Sequence, residues 1–176
     1  EHRQQRIVPV LGVCLGHQGL CEAVGARVIA APGGVVHGQL SAIEHTADGL
    51  FEALPQRFNA VRYHSLAVDE RSIPQDKLRV TAWTRGCVAD NPSAKSLPFS
   101  TLSSSGAAGV GVFPRVVMAV EHRELPYFGV QFHPESIGTQ CGIHLLGKFE
   151  LLTRAFHRRN AHRFSATRTE VPKEAI

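Results

Sequence analysis

The sequence predicts an α/β domain with an open, mostly parallel sheet and flanking helices. Two observations favour this class: the apolar run at residues 7–13 leads directly into an amphipathic stretch, and strand and helix signals keep alternating afterwards. Hydrophobic residues make up 43% and charged residues 19% of the 176 residues. That composition is typical of one globular domain with a substantial core.

The elements follow from periodicity and turn signals. We predict a strand over 7–13, a helix over 16–25 that ends at Gly25, and a short strand over 27–30. Strand signals follow at 38–44, 58–68 and 78–84, and a strand pair at 116–120 and 127–132 surrounds a turn. The last helix begins near Cys141, and its apolar stripe at helical spacing consists of Leu145, Leu146, Phe149, Leu152 and Phe156.

Two segments stand outside this pattern. Residues 86–114 are rich in Ser, Gly, Ala and Pro and lack periodicity, which predicts a flexible surface insertion. Residues 157–176 carry basic side chains and few apolar ones, which predicts a tail or linker. The expected domain is therefore residues 1–156.

Charge and hydropathy exclude two classes of function. The net charge is +4, but residues 1–147 carry 12 Lys/Arg against 12 Asp/Glu, so the excess belongs to residues 148–176. The neutral body lacks the basic and aromatic patch of a nucleic-acid binder, and we expect no nucleic-acid partner. No apolar run reaches the roughly 18 residues of a membrane span, and residues 1–6 are too polar for a signal peptide. We expect no membrane association and a cytoplasmic location.

The four cysteines do not form a metal or redox motif. Cys14, Cys21, Cys87 and Cys141 are irregularly spaced, with no C-x-x-C pair. We therefore expect no metal site, no cofactor and no disulfide, and we interpret the last three cysteines as buried small hydrophobic residues.

Cys14 is the exception, because it lies at the centre of the heptapeptide GVCLGHQ at residues 12–18. Glycines two residues before and two after a central cysteine match a nucleophile elbow, a strained strand-to-helix turn at which larger residues than Gly12 and Gly16 would collide. The following helix supplies free N–H groups and partial positive charge close to a thiolate. Cys14 is the first candidate nucleophile.

A base for this nucleophile occurs late in the chain. His133 and Glu135 follow a predicted strand, and residues two apart in an extended segment point the same way. The pair predicts an imidazole facing the thiol, with a carboxylate behind it that fixes the tautomer. With ten histidines in the chain, a surface or structural histidine is the alternative.

Together these motifs resemble a known family. The segments GVCLGHQ at 12–18, RYHSL at 62–66 and QFHPES at 131–136 are similar, in order, to the three signatures of class I glutamine amidotransferases. The resemblance covers residues 7–156 and implies a flavodoxin-like three-layer fold. The middle signature and Ser136 are most similar to the glutaminase components of aminodeoxychorismate synthase and anthranilate synthase, which act with chorismate.

The resemblance implies roles for particular residues. Cys14 would attack the carboxamide of glutamine, His133 with Glu135 would move the protons, and glutamate and ammonia would form through a thioester. The N–H of Leu15 corresponds to an oxyanion donor. Glutamine would be held by Gln18 and the main chain of Ser65 and Leu66. His37 and Gly38 correspond to the element near the synthase, which receives ammonia as a separate polypeptide or a fused domain.

The resemblance also leaves alternatives. Residues 62–66 and 80–84 are closer to the aminodeoxychorismate (folate) branch than to the anthranilate (tryptophan) branch. Only 13 residues precede Cys14, where the family has further βα units and a second oxyanion donor, so we expect an N-terminally truncated domain. A catalytically impaired fragment that only binds the synthase is the second hypothesis. Relatives serving GMP, CTP or carbamoyl phosphate synthesis, or another cysteine hydrolase, remain as further alternatives.

Overall fold

The computed structural model describes residues 7–32, 34–85 and 115–161. The predicted insertion 86–114, the N-terminal hexapeptide and residues 162–176 lie outside the described residues, so those predictions are not tested. The strands and helices, in chain order, are β1 (Val10–Val13), α1 (Leu15–Ala23), β2 (Val28–Ala30), β3 (Val36–His45), β4 (Phe58–His64), β5 (Leu66–Val68), β6 (Leu78–Arg85), β7 (Arg115–His122), β8 (Tyr127–Val130) and α2 (Gly142–Arg159).

The main sheet has six strands in the order β1-β8-β7-β6-β3-β4, and β2 pairs with β5 in a separate ribbon. The β1–β8 pair is parallel, whereas the other four neighbouring pairs of the main sheet are antiparallel. The α/β class with flanking helices is confirmed. The expectation of a mostly parallel sheet is wrong for the described strands.

The reason lies in what an apolar run can specify. The five residues Val116–Val120 of β7 are all buried, because β7 lies inside the sheet with both faces covered. A strand buried on both faces looks the same in sequence whether its neighbours are parallel or antiparallel, although such runs are typical of parallel sheets. The short link between β7 and β8 decides the direction, since a parallel crossover needs a dozen residues or more.

The two helices pack on opposite faces of this sheet. Val116 and Met118 of β7 belong to the core cluster that α2 enters through Leu145, whereas Val117 belongs to the cluster that contains Cys21 of α1. Alternate residues of a strand point to opposite faces, so the described chain forms three layers. Neither α1 nor α2 is long and apolar enough to cross a membrane; only the described residues bear on this point.

Most predicted elements are present, with shifted ends. The predicted strand at 58–68 is two strands, β4 and β5, which separate at Ser65 and join different sheets. The predicted strand at 127–132 ends at Val130, two residues early. The final helix begins after Cys141, as predicted, and continues to Arg159.

Candidate active site

Cys14 occupies a strained turn between β1 and α1. Its backbone has φ 50° and ψ −100°, a conformation that costs a non-glycine residue about 1–3 kcal/mol. Its N–H donates a hydrogen bond to the Val130 carbonyl at 2.8 Å, at the end of the parallel β1–β8 pair. Because β1 and β8 are parallel, Cys14 lies beside the carboxyl end of β8, and the chain continues from there to His133.

Of the two elbow glycines, only one is sterically required. A Cβ at Gly12 would lie 2.5 Å from the Gly16 carbonyl oxygen, so no side chain fits there. A Cβ at Gly16 would have no neighbour within 4 Å among residues 7–32, 34–85 and 115–161 outside its own helix. The expected collision is therefore confirmed at Gly12 and wrong at Gly16, because the Gly16 Cβ position faces open space.

The surroundings of Cys14 favour the protonated thiol over the thiolate. Burial raises the pKa of Cys14 above its ordinary value, and the negative charge of Glu135 adds to the increase. Hydrogen bonds from the Leu15 N–H and the Gln131 amide act in the opposite direction without cancelling it. A neutral thiol needs a base before it can attack a carbonyl.

His133 carries the features of such a base. Its Nδ1 lies 2.6 Å from Glu135 Oε1, so Nδ1 donates its proton to the carboxylate and the lone pair is on Nε2. Within residues 7–32, 34–85 and 115–161, the buried Nε2 has no hydrogen-bond partner, and the Cys14 thiol is therefore not bonded to it. Catalytic contacts are often loose before substrate binds.

The carboxylate partner stays ionised. Partial burial favours the neutral form of Glu135, but the hydrogen bond from His133, a backbone hydrogen bond and the attraction of a protonated His133 together outweigh it and hold the pKa of Glu135 below its usual value. An ionised carboxylate stabilises the imidazolium that forms when His133 takes a proton.

The contact between His133 and Glu135 has a different local cause from the predicted one. The segment is not extended, because the Ser136 N–H donates to the His133 carbonyl at 3.2 Å and closes a turn. The same carbonyl accepts from Thr139 Oγ at 2.6 Å, and the His133 N–H donates to the Val61 carbonyl at 3.1 Å. Three main-chain hydrogen bonds thus fix the base, and no sequence signal had pointed to Thr139.

Two of the predicted substrate-binding residues, Gln18 and Leu66, contact each other, and Gln18 is linked to the Cys14 thiol through Gln131. Gln18 is buried in α1, and its Nε2 donates to the Leu66 carbonyl at 3.2 Å. The Ser65 carbonyl accepts from the Ala31 N–H at 2.8 Å. The Leu66 carbonyl also accepts from His64 Nδ1, so both of its lone pairs are engaged inside the protein. Glutamine would therefore have to use other groups here than the Leu66 carbonyl.

Sequence reasoning missed Gln131 and His17. Gln131 is fully buried, and its Nε2 lies 3.6 Å from Cys14 Sγ. His17 is fully buried beside Gly129, where an added Cβ would lie 2.7 Å from His17 Nδ1. A polar residue within the apolar run at 127–132 was the available signal for Gln131. His17 lies in the heptapeptide itself, but nothing distinguished it from a surface histidine.

The predicted synthase-contact residues lie one ring away from the base. His37 and Gly38 are exposed on β3, where Gly38 has φ +68° and a register shift separates His37 from Gln39. The His37 ring packs edge-on against Tyr63 at 5.8 Å, and Tyr63 packs edge-on against His133 at 5.5 Å. The three rings connect this surface with the site. In the described ranges, no group of three His, Cys, Asp or Glu residues is arranged to hold a metal ion.

The described cysteines are free thiols. They are Cys14, Cys21 and Cys141. Cys21 is fully buried, as predicted, whereas Cys141 is only half-buried and the prediction is wrong for it. Its position at the start of α2, at the end of a loop, leaves part of its surface exposed. Cys87 lies outside the described residues.

Known proteins are similar to this chain over most of its length. The family described as glutamine amidotransferase class-I matches residues 2–102 and 105–153. The chain is 46% identical over 168 residues to aminodeoxychorismate synthase of Streptomyces griseus, covering 96% of this chain and 19% of that protein. It is 43% identical over 141 residues to anthranilate synthase component 2 of Mycobacterium tuberculosis, covering 80% of this chain and 48% of that protein.

A solved structure shares the fold. A Thermoplasma acidophilum protein assigned by name to GMP synthase superposes with a TM-score of 0.65 at 19% identity, covering 87% of this chain and 61% of that chain. The predicted fold class is confirmed by this likeness. The chain spans only about a fifth to a half of the length of the curated relatives above.

Proposed function

The chain belongs to the class I glutamine amidotransferase family, and we propose that it hydrolyses glutamine to glutamate and ammonia through a thioester on Cys14. The observation that carries the proposal is the combination at one strand end of a strained, half-buried thiol with a histidine whose Nδ1 binds a carboxylate and whose Nε2 is unpartnered among the described residues. This is the arrangement that cysteine nucleophiles use.

The first step is attack on the carboxamide. His133 Nε2 takes the thiol proton, Glu135 stabilises the imidazolium, and the Cys14 sulfur bonds to the carbonyl carbon of glutamine. The oxyanion develops near the start of α1, where the Leu15 N–H already hydrogen-bonds to the thiol. The first N–H groups of a helix have no intrahelical acceptor, so the Leu15 N–H can pass from the sulfur to the oxyanion once the sulfur has bonded to carbon.

The thioester then forms and is hydrolysed. The C–N bond breaks as His133 returns the proton to the leaving nitrogen, which departs as ammonia. Water deprotonated by His133 attacks the thioester carbonyl, glutamate leaves, and the thiol regains its proton. The hydrogen bond from Thr139 to the His133 carbonyl and the one from the His133 N–H to the Val61 carbonyl hold the main chain of His133, and Glu135 holds its imidazole, for both halves of the reaction.

We further assign the ammonia acceptor to a chorismate-using synthase that docks over His37 and Gly38. Two matches support this class: the relatives are named aminodeoxychorismate synthase and anthranilate synthase component 2. The ring contacts from His37 through Tyr63 to His133 connect that surface with the base. Because the match to aminodeoxychorismate synthase has the higher identity and covers more of this chain, the folate branch is favoured over the tryptophan branch.

Glutamate release tests the proposal. The purified chain is incubated with glutamine alone, with an aminodeoxychorismate-forming synthase plus chorismate, and with an anthranilate-forming synthase plus chorismate. We expect glutamate in the presence of the first synthase and none with the matched Cys14→Ser variant. Absence of glutamate above that control in all three mixtures would contradict the proposal and favour a chain that only binds the synthase, which co-elution of the two proteins would then detect.

A further inference from the structure

Arg62 is a buried cation with an unusual set of partners. The residue is only 5% exposed, yet in the part of the chain that the structure describes it forms no ion pair with a carboxylate. Its Nε donates to His64 Nε2 at 2.9 Å and its Nη1 donates to Ser41 Oγ at 3.1 Å. A buried charge is costly unless its hydrogen bonds serve it well, so the neutral His64 ring is a significant partner.

The Leu66 carbonyl fixes the direction of the hydrogen bonds that follow. A carbonyl oxygen only accepts, so His64 Nδ1 must donate to it at 2.7 Å, which leaves His64 Nε2 as the acceptor for Arg62. By the same rule, Gln18 must direct its Nε2 at the Leu66 carbonyl. Arg62, His64 and Gln18 therefore each have one possible orientation.

From Gln18 the series of hydrogen bonds continues to Cys14, the proposed nucleophile. The Gln18 Nε2 also donates to Gln131 Oε1 at 3.0 Å, so the Gln131 amide turns its own Nε2 toward Cys14 Sγ, 3.6 Å away. Gln131 is fully buried and Gln18 is 5% exposed, so water does not compete for these bonds. A flipped Gln131 amide would leave two nitrogens facing each other and an oxygen facing the thiol.

We propose that the continuous hydrogen bonds through Arg62, His64, Leu66, Gln18 and Gln131, here called the Arg62 relay, position the Gln131 amide as a donor to the Cys14 sulfur. Gln131 contacts the reacting atom, whereas His64 is a positioning residue, because its hydrogen bond holds the Leu66 carbonyl at the place where Gln18 donates to it. The donor stabilises the thiolate after His133 removes the proton, and the relay prevents the amide from presenting its oxygen instead. The inference rests on Cys14 being the nucleophile proposed above.

Iodoacetamide alkylation tests the relay without glutamine. Alkylation of each cysteine of the full chain is followed against pH by peptide mass spectrometry, with the half-buried Cys141 as the internal reference. The variants are Gln131→Met, which fills the space without donating, and His64→Leu, which cannot donate. The matched control is His64→Asn, whose amide can still donate to the Leu66 carbonyl. Melting temperatures identify any variant that does not fold.

The variants leave the other ionisable groups around the site in place. Those that act on the Cys14 thiol or on His64 are Glu135, Arg62 and His133, and His17 interacts with His64. In Gln131→Met all of them are retained, so a shift in the Cys14 profile reports the lost donor. His133 and Glu135 are retained in the His64 variants as well.

We expect Gln131→Met to slow Cys14 alkylation at pH 7.5 about 3- to 10-fold and to move its profile to higher pH, with the Cys141 profile unchanged. His64→Leu slows Cys14 alkylation at pH 7.5 by about 2- to 3-fold and moves its profile to higher pH, whereas His64→Asn keeps the wild-type rate and profile. In the double variant Gln131→Met/His64→Leu, the His64 substitution has no further effect on Cys14 alkylation, because Gln131→Met has already removed the donor to the sulfur.

Unshifted Cys14 profiles, additive effects in the double variant, or equal effects of His64→Leu and His64→Asn would overturn the relay. If Gln131→Met does not fold, the comparison of the two His64 variants decides alone. Glutamate release separates the two proposals: an active chain with unshifted alkylation retains the proposed function and loses the relay.

Discussion

Two helices of this chain begin directly after a cysteine with positive φ, and among the described residues only one of these cysteines has polar side-chain partners. Cys14 precedes α1 with φ 50° and ψ −100°, and Cys141 precedes α2 with φ 60° and ψ 7°. Neither side chain caps its helix, and both thiols are free and half-buried. The position at a helix start is therefore shared and does not by itself make a nucleophile.

The surroundings make the difference. Cys14 lies between the Leu15 N–H and the Gln131 amide, with the His133–Glu135 pair following on the same strand end. Cys141 lies instead against the apolar core that α2 covers. At the start of α2 the tight feature is Gly142, whose α-carbon packs on the Pro134 carbonyl. That contact anchors the start of α2 beside the turn that holds Glu135. The start of α2 therefore helps to position the proposed base and not a second nucleophile.

The largest expected difference is in reactivity toward a glutamine analogue. A diazoketone that replaces the carboxamide of glutamine should alkylate Cys14 and leave Cys141 unmodified, as measured by intact-protein mass. Removing the nucleophile in Cys14→Ala should lower the labelling rate by at least about 1000-fold, whereas Cys141→Ala should leave it within about 2-fold. Labelling of Cys141 at a comparable rate would erase the distinction between the two helix starts.

The next difference concerns the glycines of the elbow. Gly12→Ala should lower the free energy of unfolding by about 3 kcal/mol or more, because its Cβ meets backbone atoms of Gly16 and His17 that cannot move independently of α1. Gly16→Ala is the matched control, with open space around its Cβ and an expected gain of up to about 1 kcal/mol. Urea unfolding measures both, and equal losses would show that the elbow is not tightest at Gly12.

Acid should lower the free energy of unfolding through His17, which lies in the first turn of α1. Burial lowers the pKa of His17 to about 4. Between about pH 4 and 6.5 the unfolded chain therefore binds a proton at this residue that the folded protein does not bind. Stability is therefore full above about pH 6.5 and falls as the pH drops toward 4, by about 2 kcal/mol at pH 5 from this residue alone. Urea unfolding of the wild type and His17→Asn at pH 7.5 and 5 measures it.

The variant gives the control for that experiment. His64 has its pKa lowered to about 4 as well, by burial first and by the Arg62 charge second, so the acid sensitivity of His17→Asn should be reduced and not abolished. Identical pH dependence in wild type and variant would show that His17 titrates normally in the folded protein.

The smallest expected effect lies in α2. Gly147 is exposed in the helix and an added Cβ would touch no other part of the described chain, so Gly147→Ala should raise the free energy of unfolding by up to about 1 kcal/mol. Cys14 labelling by the diazoketone should stay unchanged, because the substitution strengthens the second helix without altering the site. A change in labelling rate would reveal a closer link between α2 and the thiol.

Local sequence signals found the elements that depend on neighbouring residues. The strand, the elbow glycine Gly12 and the helix that ends before Gly25 follow from periodicity and backbone sterics, which act over a few residues. The same is true of the start of α2. Strand direction could not be found in this way, because a strand covered on both faces has one apolar pattern for either direction.

The same distinction between local and long-range information applies to the candidate site. The sequence by itself indicated which side chains are candidates for the chemistry: a cysteine at an elbow, a histidine two residues before a glutamate, and Gln18 on the first helix. Only the tertiary structure decided how they are oriented. Gln131 meets the thiol across 117 residues, and Gln18 meets the Leu66 carbonyl across 48. Hydrogen bonds between distant segments depend on how strands pair and helices pack, and that information is not present in any short stretch of the chain.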